Sequence, residues 1–323
     1  MEPIINVHSL SKSFGEVQAV RGVTFSVSRG ELFGFLGPNG AGKTTTINML
    51  TGLARPDRGS ISIAGIDCPR NPKAAQHLMG IVPDESNLYP ELTGFQNLSF
   101  CGALYGMKKT ERVERARELL ERFGLTEAAD RKFAGYSKGM KRKLTIAAGI
   151  IHSPEILFLD EPTSGIDVAS ARQLRRLIAE LNQAGTTIFL TTHYIEEAER
   201  LCSRIAFIVS GGIRTIDTVE HLMSGYEDRQ IMHFEVSSVD DTLCAELGTE
   251  FPRFDCRTDS RNRICIESSE TIAVGQIVRF FEDRGIDIYE ARKIRPSLED
   301  VFVQVTGIEA GAMHEVQEKS RQR

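Results

Sequence analysis

Apolar and polar residues alternate with a period of two over residues 4–8 and 17–27, as in Val23-Thr-Phe-Ser-Val27. This pattern predicts antiparallel strands with one face on a core. Residues 33–36, Phe-Gly-Phe-Leu, form a short unbroken apolar run, the mark of a strand buried on both faces. A glycine-rich turn follows it and opens into a helix. Ser60-Ile-Ser-Ile63 predicts another strand, closed by a turn at Gly65, and residues 80–85 a buried strand running into a loop. The period then lengthens. Thr93-Gly-Phe-Gln96 is a capping-box pattern that opens a helix over 94–106. Thr110 opens a second helix with Val113, Ala116, Leu119, Leu120 and Phe123 on one face and Gly124 past its end. Its outer face carries Glu111/Arg115 and Glu118/Arg122 pairs at helical spacing. A helical block is thus inserted over about residues 91–153, its last member a basic, then apolar helix stopped by Pro154.

The strand pattern returns in Ile156-Leu-Phe-Leu159 and, after a helix over 167–183, in residues 186–190. Residues 205–216 read as a hairpin with a turn at Gly211-Gly212, and Asp217 opens a short helix ending near Gly225. A separate pattern begins there. It has strands near 230–237, 262–267 and 286–291, a helix over 270–284 and a last helix from Ser297, a small α+β unit. The predicted domains are residues 1–225 and 226–307, with 308–323 a polar tail predicted to be disordered.

Composition narrows this picture only a little. A chain of 323 residues predicts one large domain and one smaller one, and 41% apolar with 26% charged residues is the balance of a globular protein with ample core. The net charge of −5 argues against a protein that coats nucleic acid or anionic lipid through bulk charge. The six cysteines form no Cys-x2-Cys pair and predict reduced cytosolic thiols. No basic-then-apolar leader and no run of about 20 apolar residues is present, so the chain is expected in the cytoplasm unless a partner holds it at a membrane.

The candidate chemistry collects at a few points. Gly37-Pro-Asn39-Gly40-Ala41-Gly42-Lys43-Thr44-Thr45 matches the pattern Gly-x4-Gly-Lys-Ser/Thr. Its glycines let the backbone curl so that successive N–H groups line a concave anion nest, and the helix that follows adds its positive end. This predicts a triphosphate site in which Lys43 bridges the β- and γ-phosphates and the Thr44 hydroxyl holds Mg²⁺. A buried strand that ends in Asp160-Glu161 delivers two carboxylates that are costly to bury without a cation. Asp160 is then the Mg²⁺ carboxylate, and Glu161 a group that can polarise water. His193 leaves the same edge of the presumed parallel sheet, where α/β sheets bind their ligands. The basic run over 138–143 reads more simply as a wet helix face, and Phe14 as a strand-end core residue.

In this order and at this spacing, residues 37–45, Tyr136-Ser-Lys-Gly-Met140, Asp160-Glu161 and His193 resemble the motifs of the ATP-binding subunit of an ABC transporter, over residues 4 to about 225. The resemblance implies an α/β P-loop NTPase fold with a mixed sheet, an antiparallel β subdomain and an inserted helical subdomain. It implies ATP and Mg²⁺ as ligands, with Phe14 stacked on adenine and Glu161 as catalytic base. His193 would hold the attacking water. Ser137, Lys138, Gly139 and Met140 stand where the family signature Leu-Ser-Gly-Gly-Gln lies and would grip ATP bound to a partner copy. Residues 164–167 match the loop that touches that partner. Two departures are plain. The signature reads Tyr-Ser-Lys-Gly-Met, and Asp84 replaces the coupling-loop glutamine, where it can still face Mg²⁺.

Both departures, with Arg295-Pro-Ser-Leu-Glu-Asp-Val-Phe302, are similar to the multidrug and antibiotic-export branch. That branch implies a separate integral-membrane permease, a homodimer or a pairing with a second ATP-binding subunit, and no nucleic acid. Other classes fit less well. The DNA-repair type inserts a long coiled coil between phosphate loop and signature, and no long heptad run lies between Lys43 and Ser137. The ribosomal type carries two cassettes, and no second phosphate loop is present. A nucleotide switch without turnover would not need Glu161 and His193.

Overall fold

In the strand β2 (Val17–Ser28), Val23, Phe25 and Val27 are buried and the residues between them are partly or fully open, as the alternation predicts. The computed structural model describes residues 3–224, 230–240, 242–259, 262–294 and 297–308. The chain divides into two compact units, Met1–Val219 together with the chain from Val305 on, and Glu220–Gln304.

In the first unit β2 pairs with β1 (Pro3–Phe14), which pairs on its other side with β4 (Arg58–Ile63), and β4 with the two-residue β5 (Ile66–Asp67). This antiparallel sheet lies over a six-stranded mixed sheet of order β10-β9-β3-β8-β7-β6. Its members are β3 (Leu32–Leu36), β6 (Met79–Val82), β7 (Ile156–Asp160), β8 (Thr187–Thr192), β9 (Arg204–Val209) and β10 (Gly212–Thr218). Neighbours are parallel except β9 and β10. All five residues of β3 and of β7 are buried, which explains their unbroken apolar runs. Phe25 of the upper sheet meets Phe33, Phe35 and Phe189 of the lower with ring centroids 5.6–5.8 Å apart, and these rings form the middle of the core. The β9–β10 turn is made by Ser210 (φ 50°) and Gly211 (φ 80°), one residue earlier than the Gly-Gly reading, with Gly212 opening β10. Two successive positive φ values are what the right-handed twist of a tight hairpin requires.

The helices are α1 (Lys43–Leu50), α2 (Pro72–Gln76), α3 (Gly94–Leu104), α4 (Lys109–Arg122), α5 (Lys138–Gly149), α6 (Val168–Gln183), α7 (Ile195–Leu201) and α8 (Val219–Ser224). The capping box at α3 forms as predicted, Thr93 Oγ1 accepting from Gln96 N and Gln96 Oε1 from Thr93 N. On α4 the ion pair is Arg115–Glu118, one turn apart, in place of the predicted pairs at i, i+4. Arg112 and Arg115 instead pack partly against the unit.

The second unit is an antiparallel sheet of order β12-β13-β11-β14, built from β11 (Gln230–Val236), β12 (Asp255–Asp259), β13 (Arg263–Ser268) and β14 (Ile288–Ile294). With it come α9 (Leu243–Glu250), α10 (Val274–Glu282) and α11 (Leu298–Thr306). Phe234, Ile264 and Ile266 of the sheet share a core with Leu247, Phe280 and Phe281. The thiol expectation fails here. Cys244 on α9 and Cys256 on β12 are joined in a disulfide, while Cys68, Cys101, Cys202 and Cys265 are free. The fold brings the pair together although 12 positions separate them in sequence. The residues proposed for the tail from 309 onward, the chain break near Gly225, and Arg295 and Pro296 lie outside the described residues.

Candidate functional site

The phosphate-loop pattern sits where β3 meets α1, pressed between β2 and the β9–β10 turn. Gly42 adopts φ 101°, and a Cβ there would lie 2.4 Å from the Ala19 carbonyl oxygen. At Gly37 it would lie 2.1 Å from that of Ile208. No larger residue fits either place, so the two glycines are forced by close backbone approach as well as by curvature. Gly211 N donates to Ala41 O across 3.0 Å and fixes the loop from below. Gly40 and Thr44 are exposed, and Asn39 and Thr45 half-buried, so the loop opens on one side only. Lys43 is buried at the first position of α1. Its Nζ donates to Gly37 O at 2.7 Å and Pro38 O at 3.2 Å and lies 3.1 Å from Glu161 Oε1. One ammonium thus faces three oxygens, the surroundings a phosphate would enter.

Two neighbouring strands bring the acids. Asp160, the last residue of β7, is buried, and its Oδ1 accepts from Thr191 Oγ1 on β8. Glu161 turns sharply away with φ 48°, a left-handed conformation that costs a residue with a Cβ about 1–3 kcal/mol. It is held there by its own N–H to Thr191 O at 3.1 Å and by two side-chain partners. His193 Nδ1 lies 2.7 Å from Glu161 Oε2, and the His193 amide donates to the same oxygen at 3.3 Å. Burial pushes the Glu161 carboxyl up, but the His193 hydrogen bond and the Lys43 charge together outweigh it and hold the group below its usual range. The result is an ionised carboxylate beside the phosphate loop, aimed by an imidazole. Asp84, just past β6, is displaced the other way, raised by partial desolvation and by its neighbours Glu161 and Asp160 against the pull of Arg142.

The remaining predicted residues stand elsewhere on the unit. Ser137 caps α5, accepting from Met140 N at 3.3 Å, and both Ser137 and Lys138 are exposed. Gly139 packs so tightly on α6 that a Cβ would lie 2.4 Å from Ser170 Oγ. Met140 Sδ meets Arg131 at 3.2 Å. Tyr136 is buried, and its hydroxyl donates to Ala128 O at 2.6 Å, so the tyrosine that departs from the signature anchors the start of α5. The described contacts of Ser137, Lys138, Gly139 and Met140 stay on the helical side and do not reach Lys43, Asp160, Glu161 or His193. Phe14 is 56% exposed at the end of β1, with Lys12 Nζ over its ring at 5.4 Å, and so is an open platform where the simpler reading expected a core residue.

The sequence reading missed three partners. Arg142, placed on a wet face by the basic run, is buried, and its guanidinium lies among backbone carbonyls beside both acids. Thr191 ties Asp160 and the Glu161 backbone to β8. Glu197 on α7 is buried and accepts from Thr163 Oγ1 at 2.8 Å, and its burial raises the carboxyl. A lone Thr or Glu inside an amphipathic stretch carries no signal of such a role.

Residues 20–164 match the family described as ABC transporter. A daunorubicin resistance ATP-binding protein of Streptomyces coeruleorubidus is 36% identical over 307 residues, covering 94% of this chain and 95% of that one. The linearmycin resistance ATP-binding protein of Bacillus subtilis is 42% identical over 244 residues, 76% of this chain and 78% of its own. Among solved structures, an ATP-binding subunit of an ABC transporter superposes with TM-score 0.63 at 32% identity, over 69% of this chain and 93% of that one. A dimeric ATP-binding cassette in a post-hydrolysis state, bound to ADP and Pi, superposes with TM-score 0.62 at 26% identity, over 67% and 98%.

Proposed function

This chain belongs to the ABC transporter family as an ATP-binding, ATP-hydrolysing subunit, and we propose that it powers export through a separate integral-membrane permease, with ATP held between two copies of the chain. The observation that carries the chemical part is the Glu161 carboxylate at the phosphate loop, with Lys43 within 3.1 Å of one oxygen and His193 within 2.7 Å of the other.

In this reading ATP enters along β3 and α1. Lys43 trades its contact with Glu161 for the β- and γ-phosphates, and the N-terminal amides of α1 take the remaining charge. Phe14 offers its open ring to adenine. Glu161, ionised and oriented by His193, accepts a proton from the attacking water, while the imidazole keeps the carboxylate from turning back into the core. Thr44 and Asp160 offer hydroxyl and carboxylate oxygens, the donor set that suits Mg²⁺, with Asp84 within reach of the same region. Among the described residues no group of three or more His, Cys, Asp or Glu is arranged to hold a metal. When bound, Mg²⁺ supplies charge neutralisation at the β- and γ-oxygens.

The shared site is supported by the placement of Ser137, exposed at the N-terminus of α5, and of Gly139, packed on α6 two residues on, neither of which has a described contact with its own phosphate loop. The solved dimeric relative bound to ADP and Pi points the same way. Export is supported by the drug-resistance relatives. No described helix is long and apolar enough to cross a membrane. Tyr89, Phe100 and Leu104, all exposed on and beside α3, form an apolar patch suited to a permease loop, which would hold the chain at the cytoplasmic face. Residues 226–307 carry none of the nucleotide motifs and would serve assembly.

The test is Glu161→Gln, which keeps the shape of the side chain and one acceptor oxygen but removes the base. Turnover should fall about 10²- to 10⁴-fold while ATP binding survives, and ATP should shift the variant to a dimer on gel filtration. Wild-type turnover in this variant would take the base role from Glu161.

A further inference from the structure

Arg142 follows the signature turn on α5 and is 6% exposed, although it belongs to the basic run over residues 138–143. Its guanidinium makes no hydrogen bond to a carboxylate among the described residues. It donates to four backbone carbonyls from two other segments: Nε to Pro162 O at 2.8 Å, Nη2 to Asp160 O at 2.5 Å, and Nη1 to Asp84 O at 2.9 Å and to Pro83 O. Two of these carbonyls flank Glu161, and two belong to the turn that carries Asp84. The planar fork of a guanidinium can hold four acceptors in fixed relative positions, which a lysine ammonium on a flexible stem cannot.

The rest of α5 reinforces this attachment. One turn on from Arg142, Thr145 Oγ1 shares a hydrogen bond of 2.8 Å with Ser86 Oγ, beyond Asp84. Near the end of the helix, a Cβ on Gly149 would lie 2.8 Å from Val82 Cγ2. α5 is therefore pinned along its length to β6 and the following loop, and through Arg142 to the end of β7. Its N-terminus carries Ser137 and Gly139.

We propose that Arg142 is a positioning residue that joins the Asp160-Glu161 corner, the Asp84 turn and the signature end of α5 into one body, so that the state of a copy's own phosphate site sets how its signature meets the partner's ATP. The inference rests on the shared-site reading above. It assigns Arg142 no contact with nucleotide. It makes the guanidinium the physical link through which two ATP sites influence each other, a coupling carried by contiguous hydrogen bonds.

The test compares full-length wild type, Arg142→Gln and Arg142→Lys. Three quantities are measured: ATP turnover against ATP concentration, ADP binding by calorimetry as a gauge of the phosphate loop alone, and the melting temperature. For wild type, turnover should depend sigmoidally on ATP. For Arg142→Gln, kcat should fall by about tenfold or more and the dependence should become hyperbolic, while the ADP Kd stays within about threefold. Arg142→Lys keeps the charge and reaches fewer carbonyls, so it should fold where the glutamine variant does not and still lose the sigmoid. Parallel loss of ADP affinity and kcat, or a sigmoid that survives in both variants, would overturn the proposal. Full rescue by lysine would overturn it as well, since charge alone would then suffice. A hyperbolic wild type that scatters light as a monomer would instead remove the shared site on which the proposal stands.

Discussion

Lys43 has two partners in competition, its own loop carbonyls and the Glu161 carboxylate, and a triphosphate must displace at least the second. A charge-assisted hydrogen bond contributes about 1.5–3 kcal/mol, so Lys43→Ala should weaken ATP binding about ten- to a hundredfold and abolish turnover. Equilibrium dialysis with ATP checks the first effect and phosphate release the second. Near-normal hydrolysis would remove Lys43 from the site. The variant also leaves Glu161 buried with only His193 to hold its charge, so some loss of stability should accompany it. The residues of this corner were legible in the sequence because each is fixed by local chemistry. Gly37, Gly42, Lys43 and Thr44 form a spaced motif, and Asp160-Glu161 and His193 each end an apolar run. Arg142 was not legible. Four basic residues share its stretch, and the one that turns inward is decided by carbonyls 18 to 59 positions away in sequence. The left-handed backbone of Glu161 was equally invisible, since it is imposed by β8 and by its partners and not by a glycine.

Elements followed the sequence where the pattern was long or the cap explicit, as at α3, α6 and the buried strands β3 and β7. They were missed where burial is slight. α9 buries only Leu243 and Leu247 and contains Gly248, and β12, Asp-Cys-Arg-Thr-Asp, is a polar edge strand. The Cys244–Cys256 bridge joins these two missed elements, so no reading that overlooked them could have paired the thiols. One element-scale consequence concerns the loop after α5. His152 stacks on Tyr105 with centroids 3.5 Å apart and meets Met79 O through Nε2 at 3.0 Å, while its buried Nδ1 has no hydrogen-bond partner. Burial lowers its pKa to about 4. The unfolded chain, with His near 6.5, therefore takes up a proton that the folded chain refuses, and stability present above pH 6.5 is lost as pH falls toward 4. After allowance for partial exposure, the loss between pH 7 and pH 5 should be roughly 1 to 2 kcal/mol from this residue. Urea unfolding at both pH values, compared with His152→Phe, isolates it. An equal pH 7-to-5 difference in the two proteins would show that His152 contributes nothing.

For the whole molecule, the placement of Ser137 and Gly139 away from their own phosphate loop has a consequence that can be tested without structural work. If each signature serves a partner's ATP, a single copy lacks part of the charge stabilisation at the γ-phosphate, and such losses cost about 3–4 kcal/mol in other enzymes. A monomer should then be nearly inactive, and specific activity should rise with protein concentration until dimers dominate. Should the second unit already hold dimers together, the rise should appear only in a chain ended near Gly225, in keeping with an assembly role for residues 226–307. Mixing two dead variants separates a shared site from a merely dimeric protein. Lys43→Ala breaks the phosphate loop, and Ser137→Arg places a long cation where the partner's triphosphate would sit. Each homodimer has two broken sites. A mixed dimer has one site broken on both sides and one built from an intact loop and an intact signature. Partial activity, or ATP-dependent dimerisation, should therefore return on mixing, when neither variant shows it alone. Concentration-independent activity from a species that scatters light as a monomer would rule the shared site out, whatever the mixture does.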